Sequence, residues 1–194
     1  MSCVHIGIVI YDGFDELDAI GPLEVFRNAQ RFGAKIKASL ITRQPQDQVM
    51  GSHGLIVVAD SVYALGSYDA LLVSGGGWGD RAEAGVWGEV ARGDWLPILA
   101  GEAAAGTQMY SVCTGAMLLA HAGVIGIRRA ATHHTAWTDL AATGAALVKE
   151  RVVDEGALVT AGGVTSGIDL ALHIVAREAG PAIAERVAAV LEYQ

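Results

Sequence analysis

The feature that most constrains this chain is a repeated switch of hydrophobic period. Short apolar runs, 4-VHIGIVI-10, 36-IKASLIT-42, 69-DALLVS-74 and 107-TQMYSV-112, alternate with longer amphipathic ones. The run 69–74 is apolar without alternation, as a parallel strand covered on both faces reads. Helical patterning is expected over 18-DAIGPLEVFRNAQRFG-33, 82–92, 95–105, 114-TGAMLLAHAG-123, 165-TSGIDLALHIVAREAG-180 and 181-PAIAERVAAVLEY-193. The last of these opens with proline in its first turn, where a missing N–H costs nothing. Strands that return parallel need helical crossovers. The order therefore predicts an α/β chain: a doubly wound, mostly parallel sheet with helices on both faces, flavodoxin-like in three layers. Two smaller pieces complete it. The segment 49-VMGSHGLIVVAD-60 reads as a hairpin around Ser52-His53-Gly54, and 146-ALVKERVV-153 pairs with 157-ALVTA-161. A loop holding 132-THHT-135 leads to a further short helix.

With 194 residues and no linker, repeat or low-complexity segment, residues 1–194 are expected to form one domain. Hydrophobic residues at 52% against 18% charged suit a well-buried sheet and exclude disorder. The net charge is −8, and no basic cluster exceeds the pair Arg128-Arg129, so nucleic acid is not an expected partner. The N-terminus MSCVHIGIVI lacks a positive n-region and a cleavage-like site, and no apolar run reaches the length of a membrane span. Two cysteines, Cys3 and Cys113, are too few for a disulfide framework and fit free thiols in a cytoplasmic setting.

Open sheets of this kind bind ligands at the carboxyl ends of their strands. Three unusual segments fall there: 12-DGFDELDAIGP-22, 75-GGGWG-79 and 111-SVCTG-115. In the last, a strand stops at Cys113 and a helix begins at once, which is the spacing of a nucleophile elbow with Ser111 and Gly115 in the flanking places. A thiol at a helix N-terminus is expected to be depressed from about 8.5 to roughly 4–7. The alternative is a buried cysteine that only fills space. The Thr114 N–H, with one from Gly75-Gly76-Gly77, offers an oxyanion hole, or the glycines form a plain turn. Asp18 near a thiolate would be pushed towards its protonated form and act as a proton carrier; otherwise Asp15 or Asp18 caps the first helix.

His133 or His134 could complete a Cys/His pair, but adjacent residues point in different directions, so both are not expected to serve one site. No metal is expected, since the i, i+4 histidine pair and clustered thiols are missing. His5, His53, His121, His173 and Asp169 read as structural.

Taken together, 17-LDAIGPLEVF-26, 51-GSHGLIVVAD-60, 69-DALLVSGGG-77, 111-SVCTGAMLLAHAGVI-125, 128-RRAATHHTAW-137 and 156-GALVTAGGVTSGIDLAL-172 resemble the ThiJ/PfpI superfamily over nearly the whole chain. Its fold is that of class I glutamine amidotransferase-like domains. The Cys-Thr-Gly elbow and the Leu-Asp-x-x-Gly-Pro segment are most similar to isocyanide hydratase and to the sensor domains of AraC-type regulators. The resemblance implies a homodimer acting on a small-molecule substrate without a cofactor. It also implies roles: Cys113 the nucleophile, Asp18 its acidic partner, Thr114 the residue after the nucleophile, Gly76 and Gly77 the oxyanion segment, and His133 the histidine near the site.

Departures from the pattern shape the expectation. Thr114 stands where the protease-like branch has histidine, which disfavours peptidase activity. His134 replaces a tryptophan, Ile127 a glycine and Ser74 a proline. The DNA-binding module of AraC-type regulators is not found before the chain ends at Gln194, so a transcription factor is not expected. The expected function is a cysteine-dependent hydratase or hydrolase, isocyanide hydratase-like, converting an isocyanide to an N-substituted formamide. The alternatives are a thiol-based oxidative-stress sensor without turnover, or a glyoxalase or deglycase using Cys113 with His133. The last is disfavoured by Asp18 where that branch has glutamate.

Overall fold

A computed structural model describes residues 3–193. Seven strands form the main sheet in the order β10 (Val152–Asp154), β11 (Leu158–Ala161), β7 (Gln108–Ser111), β6 (Ala70–Val73), β1 (Val4–Val9), β2 (Ile36–Thr42) and β5 (Ser61–Val62). Every pairing is parallel except β10 with β11. All four residues of β6 and of β11 are buried, as central strands covered on both faces require. Helix α1 (Glu16–Arg31) packs with α6 (Ser166–Ala179) and α7 (Pro181–Val190) in one layer. In the other, α4 (Gly115–His121) gathers α2 (Val86–Arg92), α3 (Trp95–Ala105) and α5 (Trp137–Ala142). The doubly wound sandwich expected from the sequence is the fold of the protein.

Two minor ladders flank the sheet. Strands β3 (Val49–Met50) and β4 (Ile56–Val57) make the expected antiparallel hairpin. The run 146–153, expected as one strand, is instead split. Its start, β9 (Ala146–Leu147), pairs in parallel with β8 (Arg129–Ala130), and its end is β10. The exposed Lys149-Glu150-Arg151 between them faces solvent and joins neither ladder. Helix α2 starts at Val86, not at 82, because the preceding turn is pinned against two glycine loops. A Cβ on Gly13 would lie 2.5 Å from the Ala84 carbonyl carbon, and one on Gly77 2.6 Å from the Ala84 oxygen.

Helices α1 and α6 cross closely because the contact is made of small residues. A Cβ on Gly21 would stand 3.3 Å from Ile168, and one on Gly167 3.1 Å from Val112 and 3.3 Å from Pro22. Pro22 lies inside α1 and has no N–H to give the Asp18 carbonyl four residues earlier. The crossing brings the first turn of α6 down beside the end of β7, where Cys113 sits.

Candidate active site

The corner at Cys113 is a strained one. Cys113 has φ +57°, the left-handed region that a side chain adopts only where the surroundings enforce it. The enforcement is visible: the Cys113 N–H donates to the Ala161 and Gly162 carbonyls at 3.2 and 2.7 Å, and its own carbonyl accepts from Thr132 Oγ1 at 2.9 Å. Gly115 explains the small residue two places on. A Cβ there would stand 2.2 Å from the Val73 carbonyl oxygen, so only glycine lets α4 start tight against β6.

Three segments meet at this corner. Asp18 is fully buried on the first turn of α1; its Oδ2 accepts from the Gly75 N–H at 2.9 Å, and its carboxyl meets the Cys113 thiol, Oδ1 having no other partner among the described residues. Asp15, not Asp18, caps α1, accepting from the Leu17 N–H at 3.2 Å. Thr114 Oγ1 accepts from the Gly76 N–H at 2.9 Å. Gly75 is wedged so tightly that a Cβ would stand 2.6 Å from Thr114 N and 2.7 Å from Asp18 Oδ2. Cys113 is 5% exposed. Backbone N–H groups of Thr114 and Val164 face it, each favouring its thiolate.

Electrostatics set the resting state. Burial pushes Asp18 well above the usual carboxyl range, reinforced by the Asp15 carboxylate. Burial likewise drives the Cys113 thiol up, with the Asp18 charge adding to it. The depressed thiol expected from the helix N-terminus is not what this site holds, because loss of water outweighs the two N–H donors. Burial thus opposes charge on both members of the pair. Tyr11, also buried, closes the floor with its hydroxyl on the Ser74 carbonyl, and burial raises it as well.

The remaining residues expected at the site stand further out. Gly76 spends its N–H on Thr114, and Gly77 packs on the 82–85 turn. His133 heads the short 3₁₀ turn His134–Ala136, its Nδ1 on Thr135 Oγ1 at 2.9 Å, and makes no hydrogen bond to Cys113. Its pKa is lowered by burial and by His134. A Cβ on Gly163 would stand 2.7 Å from its ring, which places it against the loop that carries Val164. Val164, Thr132 and Tyr11 are contributors that residue-type reasoning missed. Val164 acts through its main-chain N–H, which carries no residue signature, whereas the Gly75 N–H, expected among the oxyanion donors, is spent on Asp18. Thr132 alone was visible, as the first residue of the T-H segment.

Two other features adjoin the rim. A cleft of about 470 Å³ lies at the carboxyl ends of β1 and β2, lined by Tyr11, Arg43, Glu89 and Arg92 among others. It does not include Cys113. Among the described residues, Asp15, Glu16 and His53 have potential ligand atoms within 4.8 Å of one another. Glu16 is already engaged there, accepting from the His53 N–H at 2.7 Å and meeting His53 Nδ1 at 2.6 Å. Among the described residues, no helix is long and apolar enough to cross a membrane.

A buried thiol on a left-handed elbow, faced by a buried acid across a glycine loop in a doubly wound sheet, defines a class. The chain belongs to the DJ-1/PfpI family, whose model matches residues 4–177. It is 32% identical over 192 residues to the isonitrile hydratase of Pseudomonas putida, covering 98% of this chain and 78% of that protein. It is 28% identical to the HTH-type transcriptional regulator CdhR of Pseudomonas aeruginosa, over 92% of this chain but 52% of the regulator. Among solved structures, a ThiJ/PfpI family protein from Pseudomonas syringae is 25% identical with TM-score 0.84, covering all of this chain and 76% of that one. Drosophila melanogaster DJ-1beta, at 21% identity, shares the fold across the full length of both chains with TM-score 0.83.

Proposed function

We propose that the protein is a cysteine-dependent hydratase that converts an isocyanide to the N-substituted formamide. The observation that carries this reading is the Cys113–Asp18 pair, in which one carboxyl oxygen is fixed by Gly75 and the carboxyl meets the thiol. Similarity to an isonitrile hydratase along 98% of the chain supports it.

The geometry supplies a balanced sequence. Cys113 sulfur bonds to the terminal isocyanide carbon as the thiol proton leaves, and that carbon receives a proton, giving an S–CH=N–R adduct. Asp18 Oδ1 carries the proton between sulfur and carbon, because Oδ2 is held by Gly75. Water then adds across C=N, the C–S bond breaks, and the thiol recovers its proton as R–NH–CHO leaves. The Thr114 and Val164 N–H groups stabilise the sulfur while it bears charge, at a corner where Cys113 is buried. Burial of the pair suits this work, since the thiol proton has only to pass by way of the adjacent Asp18 carboxyl to reach carbon.

The sensor alternative needs an accessible, low-pKa thiol. Cys113 is buried and raised, so the hydratase reading is favoured over it. The glyoxalase alternative asks His133 to act on Cys113, and His133 is instead tied to Thr135. A homodimer is proposed as the working assembly. Its support is the exposed apolar set Met50, Leu55, Ile56 and Val58 on and beside the β3–β4 hairpin, which a second copy would cover.

The test is turnover of a simple aryl isocyanide by the wild type beside Cys113→Ala. Formamide formed by the wild type alone is the expected result. No turnover by either protein would overturn the hydratase reading, and equal turnover would remove Cys113 from the reaction.

A further inference from the structure

In 75-GGGWG-79 every residue but Trp78 is glycine, so the loop beside Asp18 and Thr114 has a single side chain with which to anchor itself. Gly76 and Gly77 lie at φ +121° and +66°, and a loop of this composition gives up much freedom on folding. It has to hold two N–H groups in place, that of Gly75 on Asp18 Oδ2 and that of Gly76 on Thr114 Oγ1, each at 2.9 Å. Main-chain bonds fasten its first carbonyls: Gly75 accepts from the Asp15 N–H and Gly76 from the Val86 N–H, both at 2.8 Å. The far end of the loop is left to Trp78.

Trp78 is 4% exposed, and its indole Nε1–H donates to Asp139 Oδ2 at 2.7 Å. Its ring meets Trp87 edge-on with centroids 5.0 Å apart and lies 5.7 Å from the His121 ring. Among the described residues, the indole is the one hydrogen-bond partner of the Asp139 carboxylate. Asp139 is in the first turn of α5, and a second indole works from the same turn. Trp137 Nε1–H donates to the Thr132 carbonyl at 3.1 Å, and Thr132 Oγ1 in turn donates to the Cys113 carbonyl. Two arms thus run from one turn of α5 to the corner. Trp137 reaches the Cys113 backbone through Thr132, and Trp78 reaches Asp18 and Thr114 through the glycine loop. Between the arms, a Cβ on Gly79 would stand 3.1 Å from Thr135.

We infer that Trp78 and Asp139 are positioning residues for the Cys113 corner: their hydrogen bond holds the glycine loop so that its N–H groups stay on Asp18 and Thr114. Both act through the loop rather than on the reacting atoms. A charge-assisted bond on a rigid, buried ring supplies the constraint that the glycines cannot. The inference rests on Cys113 and Asp18 as the reacting pair, and its first readout is independent of turnover.

Amide hydrogen exchange followed by NMR on the full chain tests it, with Leu72 in β6 as the internal reference. Asp139→Ala leaves the buried ring in place and removes only the acceptor, whereas Trp78→Phe removes the donor. Each should speed exchange at Gly75 and Gly76 about tenfold, the scale of one charge-assisted hydrogen bond, with Leu72 unchanged. Asp139→Asn keeps an acceptor oxygen without the charge and should stay nearer to wild type than to Asp139→Ala. Wild-type exchange at both glycines in Asp139→Ala would overturn the inference, since main-chain bonds alone would then hold the loop. So would an Asp139→Asn that exchanges like Asp139→Ala, because the charge and not the bond would be responsible. In turnover of an aryl isocyanide, Asp139→Ala and Trp78→Phe should lower kcat by about 10–10²-fold with KM unchanged, as displaced catalytic groups do. A kcat equal to that of an active wild type would remove the positioning role. If the wild type hydrates no isocyanide, the hydratase reading falls and the exchange rates alone decide whether Trp78 and Asp139 hold the loop.

Discussion

Under the proposed hydratase reading, Asp18 is the residue on which stability and activity oppose each other. An ordinary carboxyl in the unfolded chain ionises near pH 4, whereas the folded protein holds Asp18 protonated to much higher pH. Below the unfolded value both states keep the proton and nothing is lost. As pH rises past it, ionisation favours the unfolded state, so burial of Asp18 costs progressively more stability until its folded pKa is reached. Asp18→Asn keeps an oxygen for the Gly75 N–H and abolishes that cost. Its melting temperature relative to wild type should therefore rise between pH 4 and pH 8 by differential scanning calorimetry. The same variant should lose about 10²–10⁴-fold in kcat/KM for isocyanide, as removal of a proton carrier does. Gly115→Ala tests the elbow itself. Its new methyl would meet the Val73 carbonyl at 2.2 Å, and overpacking of that kind costs about 1–3 kcal/mol, measurable by urea unfolding.

At the scale of elements, the β3–β4 hairpin is fastened to α1 by one side chain. Glu16 accepts from the His53 and Leu55 N–H groups and meets the His53 ring, and a Cβ on Gly51 would stand 2.4 Å from its carboxylate. Glu16→Ala should raise amide hydrogen exchange across 51–57 while leaving β1, β6 and β7 protected, since the parallel core does not depend on the hairpin. Elements of this kind show what is legible in a sequence. The five long parallel strands could be read because continuous burial leaves an apolar run, and the corner at Cys113 because a strand stops there and a helix begins at once. Residue type leaves Asp18 between a helix cap and a proton carrier, and only the family resemblance assigns it to the site. Strands β8 and β9, two residues each, leave no period to detect. Which of Asp15 and Asp18 caps α1 depends on where Gly75 lies, 57 residues on. The raised thiol depends on how completely α1 and the 162–166 loop bury the corner. A helix N-terminus predicts the opposite sign, and only the assembled layers decide it.

The whole molecule is a rigid sheet with an apolar patch at one hairpin. Met50, Leu55, Ile56 and Val58 are between 46 and 69% exposed. Leu55→Asp combined with Ile56→Asp should shift sedimentation from dimer to monomer with circular dichroism unchanged. A wild type that sediments as a monomer would remove the dimer from the proposal.

Gly75 bears on how such a protein changes over generations. The group that orients the acid is a main-chain N–H, and no side chain fits between Asp18 and Thr114. Mutation can delete a side-chain donor, but it cannot delete this one short of proline. Drift is thus directed outward. The chemistry at the corner is closed to gradual revision, while His133, His134 and Lys149 line an open rim where each can be replaced alone. In the proposed hydratase, new substrates would be reached by rewriting this rim around an unchanged Cys113 corner.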